Sequence, residues 1–441
     1  MSYMGKVRPT VALTSSDIED NAVTSSKIIA DAVTTAKIND GDVTAAKLAS
    51  GVVDTTGLED DVALLGFKVA SNGSLAKYNL VDQTVDDFQD TSGVNAGSST
   101  NEHRDASGTY YYGGASASAT GGTVTTHGSY TVHSFLTDAD FVNPSASSGF
   151  AVLMVGGGAS GGSYHGGGGG AGGVIQGTGW TLAAATYPVV IGGGGATQSG
   201  IGMGSPASAT GNAGVNTTFA SQTALGGGGG GNYQNQNATN PYSGGATGGS
   251  GGGACGGQFT PVPSAWDLTG AAGSQPAPSG QPGTGHAYKG GDSWAAATHS
   301  SGGGGGAGAV GADANYPGAA GAGGDGIQND YRTGSNVYYG GGGGGGRWSG
   351  DQGAGGQGGG GAGSGTPPAG SNANATSGTA NTGGGGGGMG GNSSSYSSGA
   401  GGSGIVVVRY TTGSLVTEGS NMTLISTTTA AQAAPTKGDI V

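Results

Sequence analysis

Gly340-Gly-Gly-Gly-Gly-Gly-Gly346 is the longest run of pure glycine in this chain, and its reading decides the fold. Further runs are Gly166–Gly170, Gly192–Gly195, Gly226–Gly231, Gly302–Gly306 and Gly383–Gly388, and 90 of the 107 glycines fall between residues 149 and 411. Glycine loses more conformational entropy on ordering than any other residue. A chain so rich in it is either a flexible linker or a structure that only glycine can enter. The flanks argue for order. Phe150-Ala-Val-Leu-Met-Val155 opens the region, Ile405-Val-Val-Val-Arg-Tyr410 closes it, and Tyr187-Pro-Val-Val-Ile191 leads straight into Gly192–Gly195. These are buried-strand signatures, which linkers do not carry.

The expected ordered form is a set of packed polyglycine II helices. Such a helix has about 3 residues per turn and no internal hydrogen bonds, so its backbone groups must find partners on neighbours. Pure runs are expected at the centre, and runs broken by Ala, Ser or Asn at the periphery. The absence of a strict Gly-X-Y period excludes collagen.

Composition narrows the function classes. The chain has 441 residues, 34% hydrophobic and 9% charged, with a formal net charge of −13. Both fractions are low for an enzyme of this length, and a single large apolar core is not expected. Between Asp140 and Asp267 there is no Asp, Glu, Lys or Arg. No basic patch is visible, so nucleic acid is not an expected partner. Cys255 is alone, which excludes an internal disulfide or a cysteine metal site. The first twenty residues lack the apolar stretch of a signal peptide. The expectation is a protein made in a host cytoplasm and set free by lysis.

The N-terminal part repeats every ten residues: Ala22-Val-Thr-Ser-Ser-Lys-Ile28, Ala32-Val-Thr-Thr-Ala-Lys-Ile38, Asp42-Val-Thr-Ala-Ala-Lys-Leu48. A unit this short cannot bury its own apolar residues, but stacking around identical chains can. Leu58, Val62, Leu65 and Val69 then form a short coiled-coil seam. The expected organisation is an attachment and repeat stalk over 1–57, a coiled-coil segment over 58–82 and a β-rich connector over 83–148. The glycine-rich domain follows over 149–411 and a tail over 412–441. The fold class is elongated and fibrous, with a small β-sheet base under polyglycine II helices and little α-helix.

The repeats, Leu58-Glu-Asp-Asp-Val-Ala-Leu-Leu65 and Val85-Asp-Asp-Phe-Gln-Asp90 resemble tail-fibre proteins of bacteriophages. The Gly383–Arg409 stretch is similar to a glycine-rich module common in phage tail proteins, and to the glycine-rich adhesins at the tips of some long tail fibres. The resemblance implies polyglycine II helices whose connecting loops contact the host. It also implies an N-terminus held by a virion tail or baseplate protein and a location on the virion, while the short repeats and seam lead to the expectation of a homotrimer. A host surface glycan or outer-membrane protein would be the receptor, with no cofactor and no enzymatic activity. The alternative is a purely structural virion fibre, a rod or decoration fibre.

No motif for catalysis stands out. No Gly-Lys-Ser/Thr is present, the Gly-x-Gly-x-x-Gly matches lie outside any strand–helix unit, and the six histidines lack metal-ligand spacing. The aromatics between glycine runs say more. Tyr233, Tyr242, Trp266, Trp294, Tyr331, Tyr338, Tyr339 and Trp348 neighbour Asn, Asp or His that can orient a sugar. They are the candidate receptor-binding residues, expected together on distal loops. The competing reading is that aromatics plug the ends of the bundle. Trp180, between strand signals, is expected to be structural.

Overall fold

A computed structural model describes residues 94–104 and 111–418, without 199–209, 234–243, 258–268, 294–298, 316–318, 366–373 and 392–394. It also describes 422–425, two short strands at 78–79 and 84–85, and residues 24, 91 and 427. Apart from Thr24, the repeats over 1–57 and the seam of Leu58 to Val69 lie outside these residues.

The chain divides into two compact units. The first comprises Met1–Val94, Gly108–Tyr110 and Ser426–Val441. In it β1 (Tyr78–Asn79) pairs with β2 (Thr84–Val85). The second comprises Asn95–Ser107 and Tyr111–Ile425. It holds β3 (Glu102–Arg104), β4 (Tyr111–Ser116), β5 (Thr123–His127), β6 (Tyr130–Phe135), β7 (Ala139–Asn143), β8 (Ser147–Val155), β9 (Val174–Leu182) and β10 (Ala185–Val189). After these come β11 (Thr217–Phe219), β12 (Gln222–Ala224), β13 (Thr284–His286), β14 (Ile327–Asn329), β15 (Val337–Tyr339), β16 (Ile405–Thr411) and β17 (Val416–Glu418). Among the described residues there is no helix, as the sequence led us to expect.

The central element is a six-stranded antiparallel sheet in the order β13-β9-β8-β16-β6-β5. The apolar openings and closings of the glycine region are its middle strands: Ile405 faces Val155, which faces Val174. Period-2 alternation sorts the side chains onto two faces. Phe150, Val152, Met154, Val406, Val408 and Tyr410 join Trp180, Phe141 and Phe219 in one cluster. Leu153, Val155, Val174, Ile405 and Val407 join Ala307 and Tyr339 in the other. Phe141 meets Phe135, Phe150 and Phe219 edge-on at 5.8–6.3 Å, a geometry that adds to area burial. Trp180 is fully buried and structural, as expected. The connector expected over 83–148 does not stand apart, because β5 and β6 pair into this sheet. The register of β6 on β16 buries Val132 and Phe135, so the apolar alternation of this stretch belongs to the main core.

Each middle strand runs on into glycine. Residues 166–173 show how such a segment is held. The N–H groups of Gly166, Gly169 and Gly172 donate to the carbonyls of Met389, Gly386 and Gly383. Those of Gly167, Gly170 and Gly173 donate to Gly231, Gly228 and Leu225, and those of Gly168 and Ala171 to Gly302 and Gly305, all at 2.8–3.0 Å. Its carbonyls accept from three further segments, through Gly162 and Ala159, Gly253 and Ser250, Gly346 and Gly343. A period of three, with six neighbours and partners on other segments, is the packing of polyglycine II. The Gly340–Gly346 run is bonded in the same way. Gly343 and Gly346 donate to Gly169 and Gly166, Gly341 and Gly344 to Gly358 and Gly361, and Gly342 and Gly345 to Gly324 and Gly321. The whole run is buried, and a Cβ on Gly343 would overlap the Gly386 carbonyl.

The expectation that pure runs are central and broken runs peripheral fails in both directions. Gly193, in a pure run, is exposed. Ala159, Ser160 and Ala171 are fully buried. For serine the reason is chemical. Ser160 Oγ accepts the Asn212 N–H at 2.8 Å, and Ser364 Oγ accepts that of Gly390 at 2.9 Å, each replacing a backbone carbonyl.

Candidate functional site

The segments alternate in direction, so the bundle has two ends. Val155 and Val174 lie in the sheet, and the chain between them runs out through 156–162, reverses at 163–165 and returns through 166–173. The reversal marks the end remote from the sheet, here called the tip. Gly346, bonded to Gly166, brings Arg347 and Trp348 to the same end. Tyr233 donates its N–H to the Tyr164 carbonyl and Gly256 donates to His165, so the chain also leaves for 234–243 and 258–268 from there.

The tip is built around an aromatic cluster. Tyr164 packs on Tyr233 with ring centroids 4.9 Å apart. His165 stacks on His299 at 4.2 Å and 18°, and Trp348 meets both, at 5.3 Å from His165 and 6.3 Å from His299. Tyr164, His165 and His299 hold φ of 49°, 51° and 47°. Left-handed backbone at bulky residues costs of order 1–3 kcal/mol each, and it persists where the surroundings over-determine it. At Tyr164 and His165 the cause is the need to reverse the chain in three residues between adjacent segments. The surroundings are specific: His165 Nδ1 lies 2.9 Å from the Gly390 carbonyl, and the His165 carbonyl accepts from Ser301 Oγ at 2.7 Å and Gly256 N at 3.0 Å.

Burial sets the electrostatics. His165 is 3% exposed, and desolvation, aided by His299, lowers its pKa to about 3. Burial also lowers that of His299. The stack is therefore neutral at neutral pH, and the Gly390 carbonyl identifies His165 Nδ1 as the protonated nitrogen. Cys255, fully buried with Tyr164 and Tyr233, lacks the exposed electropositive setting of a reactive thiol. Among the described residues, no three of His, Cys, Asp and Glu cluster so as to hold a metal ion. What the tip offers is a platform of neutral rings on a rigid support, with Arg347 a buried cation at the same end.

The candidate residues separate between the two ends. Tyr233 and Trp348 are at the tip. Tyr233 is 9% exposed and serves mainly as a plug, while Trp348 is partly exposed. Tyr242, Trp266 and Trp294 lie outside the described residues. Tyr331, Tyr338 and Tyr339 are not on the distal loops, because the β14–β15 hairpin links segments 319–326 and 340–347 at the sheet end. Tyr339 is 1% exposed in the sheet core and cannot touch a receptor. Tyr331 lies over the Arg409 guanidinium at 4.5 Å, with Tyr130 on the same group at 4.4 Å. Tyr164, His165 and His299 were absent from the candidates. The signal for the first two was the brevity of Ser163-Tyr-His165 between two glycine segments, which forces a tight reversal of bulky residues.

A family model described as a glycine-rich domain matches residues 137–411, well over half of the chain, and the chain belongs to that family. No curated protein matches it.

Proposed function

We propose that this glycine-rich chain is a bacteriophage tail-fibre protein that binds a host cell-surface receptor through the connections at the tip of its bundle. The observation that carries this reading is the tip itself. Strained backbone at Tyr164, His165 and His299 supports a neutral aromatic platform, with Trp348 partly exposed upon it. Strain of this kind gathers at binding sites, and Trp gives large contact area at low entropic cost. The receptor would be a surface glycan or an outer-membrane protein, held without bond cleavage. Tyr242, Trp266 and Trp294 belong to connections whose described flanks support the same end, and they are proposed as further contacts.

The remaining parts of the proposal rest on the sequence. The ten-residue repeats and the seam would assemble a homotrimeric stalk anchored to a virion tail or baseplate protein, and the fibre would act outside the lysed host. The test is adsorption of virions carrying Trp348→Ala. A true anchor costs about 2 kcal/mol, roughly thirtyfold in binding. Wild-type adsorption by Trp348→Ala, Trp266→Ala and Trp294→Ala alike would favour the structural rod.

A further inference from the structure

At the sheet end, remote from the tip, a groove of about 350 Å³ runs between the β9 edge with its β13 partner and the β14–β15 hairpin. That volume is near the lower limit of ligand clefts, roughly the size for one or two sugar rings. Its chemistry is narrow. Gln176, Thr284, Gln328, Asn329, Tyr331 and Asn336 contribute amides and hydroxyls. The one charged group on it, Asp330, is paired with Arg409 at 3.5 Å. No Leu, Ile, Val or Met lines it, which excludes a lipid or an apolar peptide.

The walls are fixed before any ligand arrives. On one side, the Trp180 indole N–H donates to the Pro282 carbonyl at 2.8 Å. Gln281 spans Thr181, accepting from its N–H at 3.0 Å and donating to its carbonyl at 2.9 Å. Gly177 permits this close approach, since a Cβ there would overlap the Pro282 carbonyl. On the other side, Asn329 is 5% exposed, donates to Gln176 Oε1 at 3.2 Å and accepts the Tyr331 N–H at 2.9 Å. Asn336 Nδ2 donates to Gln328 Oε1 at 3.2 Å, which ties the two amides together. Their other halves, Gln328 Nε2 and Asn336 Oδ1, have no protein partner among the described residues. One amide donor and one amide acceptor left open on bonded neighbours suit the hydroxyls of a sugar.

We infer that this groove is a second binding site, for a neutral saccharide, independent of the tip. Preorganised amides raise affinity by lowering the ordering cost of binding. Burial raises the Tyr331 pKa, so its hydroxyl remains a donor at neutral pH.

The experiment is saturation-transfer NMR on the full-length protein with methyl glucoside and N-acetylglucosamine, against N-acetylneuraminic acid as the charged comparison. The neutral sugars are expected to bind in the millimolar range. Gln328→Ala with Asn336→Ala should weaken them roughly tenfold, the loss of a hydrogen bond or two. Both side chains are exposed, so the variant should melt with the parent protein, and the single variants serve if it does not. A sugar held at the tip would keep full affinity in these variants, which separates the groove from the tip. Failure of every neutral sugar to bind, tighter binding of the acidic sugar, or full affinity in the Gln328 and Asn336 variants would overturn the inference.

Discussion

The six-stranded sheet and the glycine bundle continue one another along the chain, yet opposite terms hold them. In the sheet, stability comes from what side chains remove from water, as with Trp180, Phe141 and Leu153 at no more than 0% exposure. In the bundle, the side chain is what must be missing, and each segment is held by backbone bonds to up to six others. A net hydrogen bond contributes only about 0.5–1.5 kcal/mol, against roughly 1–2 kcal/mol to order each residue. The bundle therefore depends on completeness and on the sheet to which it is joined. The sheet fails by losing atoms and the bundle by gaining them.

Four substitutions or conditions bear on that contrast. The largest effect is expected from Gly343→Val. Its Cβ would overlap the Gly386 carbonyl, and Gly386 is itself bonded to Ala159, so the neighbour has nowhere to move. The glycine region should lose its cooperative thermal transition in calorimetry, and an unchanged transition would break the comparison. Next comes Trp180→Ala, which opens a cavity under the sheet and removes the bond to the Pro282 carbonyl. About 3–5 kcal/mol should be lost in denaturant titration.

Acid should act on the tip. Above pH 6.5 His165 is neutral both folded and unfolded and contributes no pH dependence. As pH falls through 6.5 the unfolded chain takes up the proton while the buried ring, with its pKa near 3, does not. Stability at the tip should therefore fall as pH drops below 6.5, by on the order of 1 kcal/mol per pH unit. Hydrogen exchange of Gly166 and Gly256 between pH 6.5 and 4.5, compared with His165→Gln, reads this directly. An equal slope in the variant would assign the acid response elsewhere. The smallest effect sharpens the contrast from the other side. Nothing lies within 4 Å of a Cβ placed on Gly193, and its φ is not left-handed. Gly193→Ala should raise stability by about 0.4–1 kcal/mol through the unfolded chain, seen as a higher Tm.

Much of this was legible in the residues. Phe150–Val155 and Ile405–Tyr410 are short apolar runs against glycine, and both are middle strands. The fate of Gly340–Gly346 was legible because only one packing buries seven residues without side chains. Residues such as Tyr331 and Tyr339 were harder to place. A hairpin at the sheet end and a loop at the tip look alike as interruptions between glycine runs. Which end each occupies depends on counting reversals along the whole region, and 307–309 or 357–359 reverse with almost no sequence signal. The connector boundary was missed for a related reason. Strand β6 alternates like an independent β element, and its partner β16 lies almost three hundred residues away in sequence. The groove was invisible because Gln176, Thr284 and Asn336 are unremarkable polar residues until three elements meet.

The period of three has a consequence for how the bundle finds its place. A glycine segment that slides by one turn past its neighbours regains the same backbone bonds, so the lattice is nearly degenerate along its axis. Glycine cannot break that degeneracy. The marks that can are few. Ser160, Ser250, Ser301 and Ser364 each satisfy a partner that a shifted segment would leave orphaned. Val155, Val174 and Ile405 fix the phase at the sheet. Assembly should accordingly start where β8, β9 and β16 pair and propagate outward, with the serines acting as detents that stop each strand of glycine at one notch.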